Sequence, residues 1–155
     1  MSQGLEGGCQ CGAVRYRITG RPLTLYACHC RECQKQAASV FGLSLWVRQV
    51  ELEIDTAKLA FWDRPADSGN STRCAFCPSC GSRLFHAPGD DPDIYSLKGG
   101  SLDEIARFAP VGHIWVRSKQ PWVDLAALPG DLVFDKEPPS FQPLLDRWAE
   151  TQGAP

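Results

Sequence analysis

Seven of the eight cysteines in this chain fall in three short stretches: Cys9-Gln10-Cys11, Cys28-His29-Cys30 with Cys33 just behind, and Cys77-Pro78-Ser79-Cys80. No other feature limits the possible folds so tightly. Thiols one or two residues apart are poorly placed to bond to each other, and in a chain without an export signal such clusters are metal ligands. The clusters divide unevenly. Two pairs make one complete four-thiolate set, whereas a triplet makes a set with an open position. Four cysteines around zinc form a closed, structural site; three protein ligands leave room for water or substrate. The expectation is one structural zinc on Cys9, Cys11, Cys77 and Cys80, and a second, open zinc on Cys28, Cys30 and Cys33.

Local geometry is expected to aim these ligands. On a strand, Cys9 and Cys11 would share a face with Gln10 turned away. Cys77-x-x-Cys80 followed by Gly81 has the form of a zinc knuckle, in which glycine relieves the backbone behind the second thiol. In the middle cluster Cys28 and Cys30 would share a strand face and Cys33 would return on a first helical turn. His29 would then face away. His113 or His86 is left as a possible fourth ligand, Cys74 is a further thiol on the wrong face of its strand, and Tyr26 is the aromatic expected on the face of Cys28 and Cys30.

The rest of the sequence reads as short strands. Val14, Tyr16 and Ile18 alternate with Arg15, Arg17 and Thr19, the period of a half-buried strand. Gly20-Arg21-Pro22 is a turn, with residues 23–30 as the returning strand. Further strands are expected over 41–47, 51–54, 59–63, 72–76, 83–86, 93–97 and 113–116. Helix is expected at 32–38, as a turn at the Ser101-Leu102-Asp103-Glu104 capping box, and over 140–150. In that last segment Phe141, Leu144, Leu145 and Trp148 fall on one face, with Ser140 as N-cap. Residues from Gln152 onward are expected to fray. Trp46, Trp62, Trp115 and Trp122 are expected mostly in the core. The fold class is therefore all-β, of short antiparallel strands stapled by zinc, with a short C-terminal helix.

A net charge of −2 lacks the basic stripe that nucleic acid requires. No stretch approaches the about 18 apolar residues needed to span a membrane. Met1-Ser2-Gln3-Gly4-Leu5-Glu6 has neither a basic nor an apolar leader region, so the cytoplasm is the expected location.

Three motifs in order carry a resemblance. Gly7-Gly8-Cys9-Gln10-Cys11-Gly12-Ala13-Val14-Arg15-Tyr16, Cys28-His29-Cys30-Arg31-Glu32-Cys33-Gln34-Lys35 and Phe76-Cys77-Pro78-Ser79-Cys80-Gly81-Ser82-Arg83-Leu84-Phe85 resemble the signatures of the glutathione-dependent formaldehyde-activating enzymes, whose domain the centromere protein V proteins share. The resemblance covers about residues 5–125, leaving 126–155 as an extension that carries the helix at 140–150. It implies a β-tent fold and two zinc ions per chain, on the ligands already named. It also implies a carbon–sulfur lyase that joins glutathione, or a related thiol, to formaldehyde as S-(hydroxymethyl)glutathione. A small thiol and a small aldehyde are thus the expected partners. Arg15, Arg17, Arg31 and Lys35 are the cations available for glutathione's carboxylates, and Glu32 is the carboxylate nearest the cluster in sequence. Where family members carry Ser-Gly-Ser, this chain reads Ala37-Ala38-Ser39, adding a methyl group whose expected effect is on ligand fit. A non-catalytic zinc-stabilised binding module on the same scaffold is the alternative expectation, and a labile metal or redox site on the triplet is a third.

Overall fold

The computed structural model describes residues 4–65, 69–87 and 93–152. The fraying expected beyond Gln152, like the first three residues, lies outside them. Among the described residues the strands in chain order are β1 (Leu5–Gly8), β2 (Arg15–Ile18), β3 (Thr24–Cys28), β4 (Gly42–Arg48), β5 (Leu52–Ile54), β6 (Ala60–Pro65), β7 (Ser71–Phe76), β8 (Arg83–Ala87), β9 (Ile94–Lys98), β10 (Gly112–Ile114) and β11 (Leu132–Val133). The helices are α1 (Arg31–Ala37) and α2 (Gln142–Thr151). The protein is thus mostly β with a short C-terminal helix, and no helix is long and apolar enough to cross a membrane. The chain divides into two units, Met1–Pro22 with Trp46–Ile105, and Leu23–Leu45 with Ala106–Pro155.

In the first unit β1, β2 and β5 form an antiparallel sheet with β2 central, Ile18 opposing Leu5 on one side and Leu52 on the other. The two-residue period of β2 holds: Val14, Tyr16 and Ile18 are buried while Arg15 and Arg17 are exposed. Arg15 pairs with Asp103 and Arg17 with Glu6. The capping-box reading of Ser101 is corrected. Its hydroxyl donates to Lys98 O at 2.7 Å and meets Tyr16 Oη at 2.8 Å, so it has no first-turn amide to cap. The antiparallel run β6, β7, β8, β9 completes the unit.

The second unit contains β11, β10 and β3 side by side, with both pairings of β10 parallel. Long connections make this possible, since parallel neighbours cannot be joined by a hairpin. The expectation that residues 23–30 return beside β2 is corrected here: β3 runs beside β10, and all five of its residues are buried. Helix α2 packs on β3. Leu144 and Trp148 are buried, Thr24 Oγ1 donates to Leu144 O at 3.0 Å, and the Tyr26 ring lies 5.7 Å from Phe141. Ser140 Oγ accepts from the Gln142 amide at 3.1 Å, as an N-terminal capping side chain does. The apolar face of α2 is thereby spent inside its own unit.

Candidate metal centres

Both halves of the four-cysteine set are hairpin turns. The β1–β2 ladder ends at Gly8 opposite Arg15, so Cys9 and Cys11 do not alternate along a strand as their spacing implied. The chain turns instead, with Gly12 N donating to Cys9 O at 3.1 Å and Cys9 N to Val14 O at 3.0 Å. The β7–β8 turn repeats the pattern, Gly81 N to Cys77 O at 2.8 Å and Cys77 N to Ser82 O at 2.9 Å. In each turn a glycine with positive φ, Gly12 at 78° and Gly81 at 75°, follows the second cysteine. Other residues adopt this left-handed conformation only at a cost.

The four sulfurs lie within 4.8 Å of one another. Cys9 Sγ is 3.5 Å from Cys11 Sγ, which is 3.8 Å from Cys77 Sγ. A disulfide would need about 2.05 Å. Tetrahedral thiolates at the usual zinc distance of about 2.3 Å stand about 3.8 Å apart. The donor set therefore fits a tetrahedral metal. Hydrogen bonds favour thiolate at two of the four sulfurs: Val14 N donates to Cys9 Sγ at 3.2 Å, and Ser82 Oγ lies 3.2 Å from Cys80 Sγ. The Ser82 hydroxyl, followed by the Ser82 and Cys11 amides, pushes the Cys80 thiol down to about 5.

The triplet is built where β3 meets α1. Cys28 ends β3 opposite Ile114 of β10, and the His29 amide donates to Ile114 O at 3.0 Å. Cys30 is the N-cap of α1, its sulfur accepting from the Cys33 amide at 3.3 Å. The sulfurs of Cys28, Cys30 and Cys33 lie within 4.8 Å of one another. Hydrogen bonds from the Cys28 thiol and then the Cys33 thiol hold Cys30 far below the usual thiol range, while the bond to Cys30 pushes Cys28 up.

The histidines considered as closing ligands are otherwise engaged. His113 Nε2 lies 3.0 Å from the Pro129 carbonyl, which can only accept, so Nε2 carries the proton. His113 Nδ1 must then accept from His29 Nε2, 3.0 Å away. This leaves His29 Nδ1 as a buried acceptor with no hydrogen-bond partner among the described residues. Burial first, then the neighbouring His113 and Lys119, lowers His29 to about 4 and keeps it neutral. His86 Nδ1 lies 2.9 Å from Lys98 Nζ, and the buried Cys74 donates to Thr72 O at 3.6 Å. The metal-capable group at the triplet consists of the three cysteines alone among the described residues.

The tryptophan expectation is corrected: Trp62 and Trp122 are exposed, Trp46 and Trp115 are half-buried, and only Trp148 is core. Two residues that sequence reasoning passed over also shape the sites. Gln34 is buried, donates from Nε2 to His29 O at 2.7 Å and Ser118 O at 2.9 Å, and accepts from Gln120 at 2.7 Å. It ties α1 to the segment after β10. Ser82 is the other, and its position two residues beyond Cys80 in a turn was the available signal.

One family's model, that of the glutathione-dependent formaldehyde-activating enzyme, matches residues 4–118. The chain belongs to the glutathione-dependent formaldehyde-activating enzyme family. A Halomonas elongata relative, provisionally named a glutathione-dependent formaldehyde-activating enzyme, is 26% identical over 135 residues, which cover 84% of this chain and 86% of that one. The crystal structure of a Rhodobacter sphaeroides protein aligns with 83% of this chain and 98% of its own at a TM-score of 0.53 and 18% identity, a likeness of fold alone. Ala38, where the resemblance implies glycine, sits at the C-terminus of α1 with φ 48°, its amide donating to the carbonyls of Gln34 and Lys35.

Proposed function

We propose that this family member is a carbon–sulfur lyase-type enzyme that joins glutathione, or a related small thiol, to formaldehyde. The observation that carries the reading is the contrast between a four-sulfur set and a three-sulfur set whose neighbouring imidazoles, His29 and His113, bond to each other. The first set suits a structural zinc and the second an ion with an open position. Zinc held by Cys28, Cys30 and Cys33 would supply a Lewis-acidic position that favours the thiolate form of a bound thiol.

The chain's own part is to hold that position in shape. Cys30 accepts from the Cys33 amide at the start of α1, a position that favours its thiolate form. Gln34 fixes the helix against the backbone of His29 and Ser118. His29, between Cys28 and Cys30 in sequence, is held neutral chiefly by its burial. In the reaction the thiol sulfur bonds to the aldehyde carbon while the carbonyl oxygen takes up a proton. A reaction supplied by glutathione belongs in the cytoplasm, which maintains that thiol in reduced form.

Because thiols add to formaldehyde unaided, the test is a rate above background. Exchange between glutathione and S-(hydroxymethyl)glutathione, followed by NMR at equilibrium, should be faster with zinc-loaded protein and return to the spontaneous rate with Cys30→Ser. Wild-type protein that leaves the exchange rate unchanged would defeat the proposal.

A further inference from the structure

Gln34 follows the third cysteine of the triplet on α1 and is only 5% exposed. Its Nε2 donates to His29 O at 2.7 Å and to Ser118 O at 2.9 Å. Its Oε1 accepts from Gln120 Nε2 at 2.7 Å and from Arg31 Nη1. A carboxamide has two N–H donors and two acceptor lone pairs, so its whole capacity is used. Both carbonyl partners can only accept, which fixes the nitrogen on their side and the oxygen on the other.

The two donor bonds join different parts of the second unit. His29 lies between Cys28 and Cys30, so the first bond ties the peptide that carries two of the sulfurs to the helix that carries the third. The second reaches 84 residues along the chain to a turn that is itself held. At the near end of that turn Ile114 O accepts from the His29 amide at 3.0 Å. Beyond it the amides of residues 115–117 donate to the carbonyls of residues 134–136, each at 3.2 Å. Within these bonds Trp115 sits in the left-handed region at φ 57°, which an L-residue occupies only at a cost. Ser118 N then donates to Trp115 O at 3.0 Å. Ser118 O is a fixed anchor.

We propose that Gln34 is the positioning residue of the three-cysteine set. Its carboxamide, locked by Ser118 and Gln120, fixes the Cys28–Cys30 peptide against α1 and so sets the arrangement of the three sulfurs. The role belongs to the two N–H donors and not to the shape of the side chain. Without them the His29 carbonyl loses this buried partner, and the first two sulfurs are free to shift against the third. The inference rests on the reading of the triplet as an open metal position, as in the proposed function, but not on the reaction carried out there.

The probe is Co2+, a stand-in for zinc whose visible absorption follows the arrangement of its sulfur ligands. The triplet's share of the spectrum is the difference between each protein and the same protein carrying Cys30→Ser. Gln34→Glu and Gln34→Met keep the length of the side chain and lose both donors. Each should alter the triplet's spectrum and release its metal to a chelator about tenfold more readily or beyond, as loss of a partner behind the ligands commonly does. The four-cysteine set should keep its wild-type spectrum and release. Gln120→Met, which loosens only the oxygen end, should shift the triplet's spectrum the same way by less. A purely structural role would lower the melting temperature and leave that spectrum alone. Wild-type spectrum and release at the triplet in folded Gln34 variants, or equal loss at both sets, would overturn the proposal. If neither Gln34 variant folds, an unchanged triplet spectrum in Gln120→Met overturns it. A wild-type protein that takes up one Co2+ only defeats this inference together with the open metal position. Two Co2+ in a protein without exchange activity defeats the lyase reading alone, and the variant spectra still decide the role of Gln34.

Discussion

The Gln10 amide donates to Ser82 Oγ at 3.0 Å, joining two cysteine turns that lie 72 residues apart in sequence. The same hydroxyl reaches Cys80 Sγ at 3.2 Å, so one serine both bridges the turns and stabilises a thiolate. Partners that orient ligands in this way commonly govern metal affinity by about 10- to 100-fold. Ser82→Ala should therefore fold with zinc present but surrender one metal to a chelator about tenfold more readily than wild type. Unchanged chelator competition would remove Ser82 from the site.

The two metal sets should fail differently. Cys9 and Cys11 are tied to Cys77 and Cys80 across a long loop, whereas Cys28, Cys30 and Cys33 span a single strand–helix junction. Closing a long loop constrains the unfolded chain more. Structural zinc also supplies folding free energy directly. Cys80→Ser should lose one zinc and several degrees or more of melting temperature, while Cys30→Ser should lose the other and stay folded. Equal collapse of both variants in thermal unfolding would break the division into structural and open sites.

Legibility in the sequence followed exposure. Strand β2 declared itself because one face meets solvent, giving strict alternation at Val14, Tyr16 and Ile18. Strand β3 is buried at every residue, so its limits could be read but not its neighbours. Strand β1 was missed because Gly7 and Gly8 carry no strand preference. A side chain at Gly7 would collide with the Tyr16 hydroxyl, so packing and not propensity selects glycine there. The cysteine groupings were legible because ligand count and spacing are chemical facts of the chain. The contacts of Gln34 and Ser82 were not, since each depends on which backbone atoms the fold brings near.

Ala38 offers a test of local strain. It ends α1 in the left-handed region at φ 48°, the position that helices commonly give to glycine. An L-residue with a Cβ pays roughly 1–2 kcal/mol there. Ala38→Gly should stabilise the protein by about 1 kcal/mol, since glycine's extra freedom in the unfolded chain offsets part of the gain. For a chain of this size that is an increase of about 2–4 °C in melting temperature. A lowered melting temperature would show that the methyl group contributes packing that outweighs the strain.

The His29–His113–Pro129 chain makes the last prediction. His113→Ala would strand the His29 Nε2 proton and the Pro129 carbonyl, at a cost of about 1–3 kcal/mol for each desolvated group. The midpoint of urea unfolding should fall accordingly, while zinc per chain stays at the wild-type value, because His113 is spent on hydrogen bonds. Loss of one zinc from a folded His113→Ala protein would instead make it a ligand. The pair should also leave a mark on acid stability. His29 is lowered to about 4 in the folded protein from an ordinary value of 6.5. Its stabilising contribution is complete above about pH 6.5 and declines as pH falls toward about 4, because the unfolded chain takes up the proton first. Wild type should lose stability across that window more steeply than His29→Gln, with any acid release of metal common to both. Parallel pH profiles for the two proteins would mean that His29 is not held neutral by the fold.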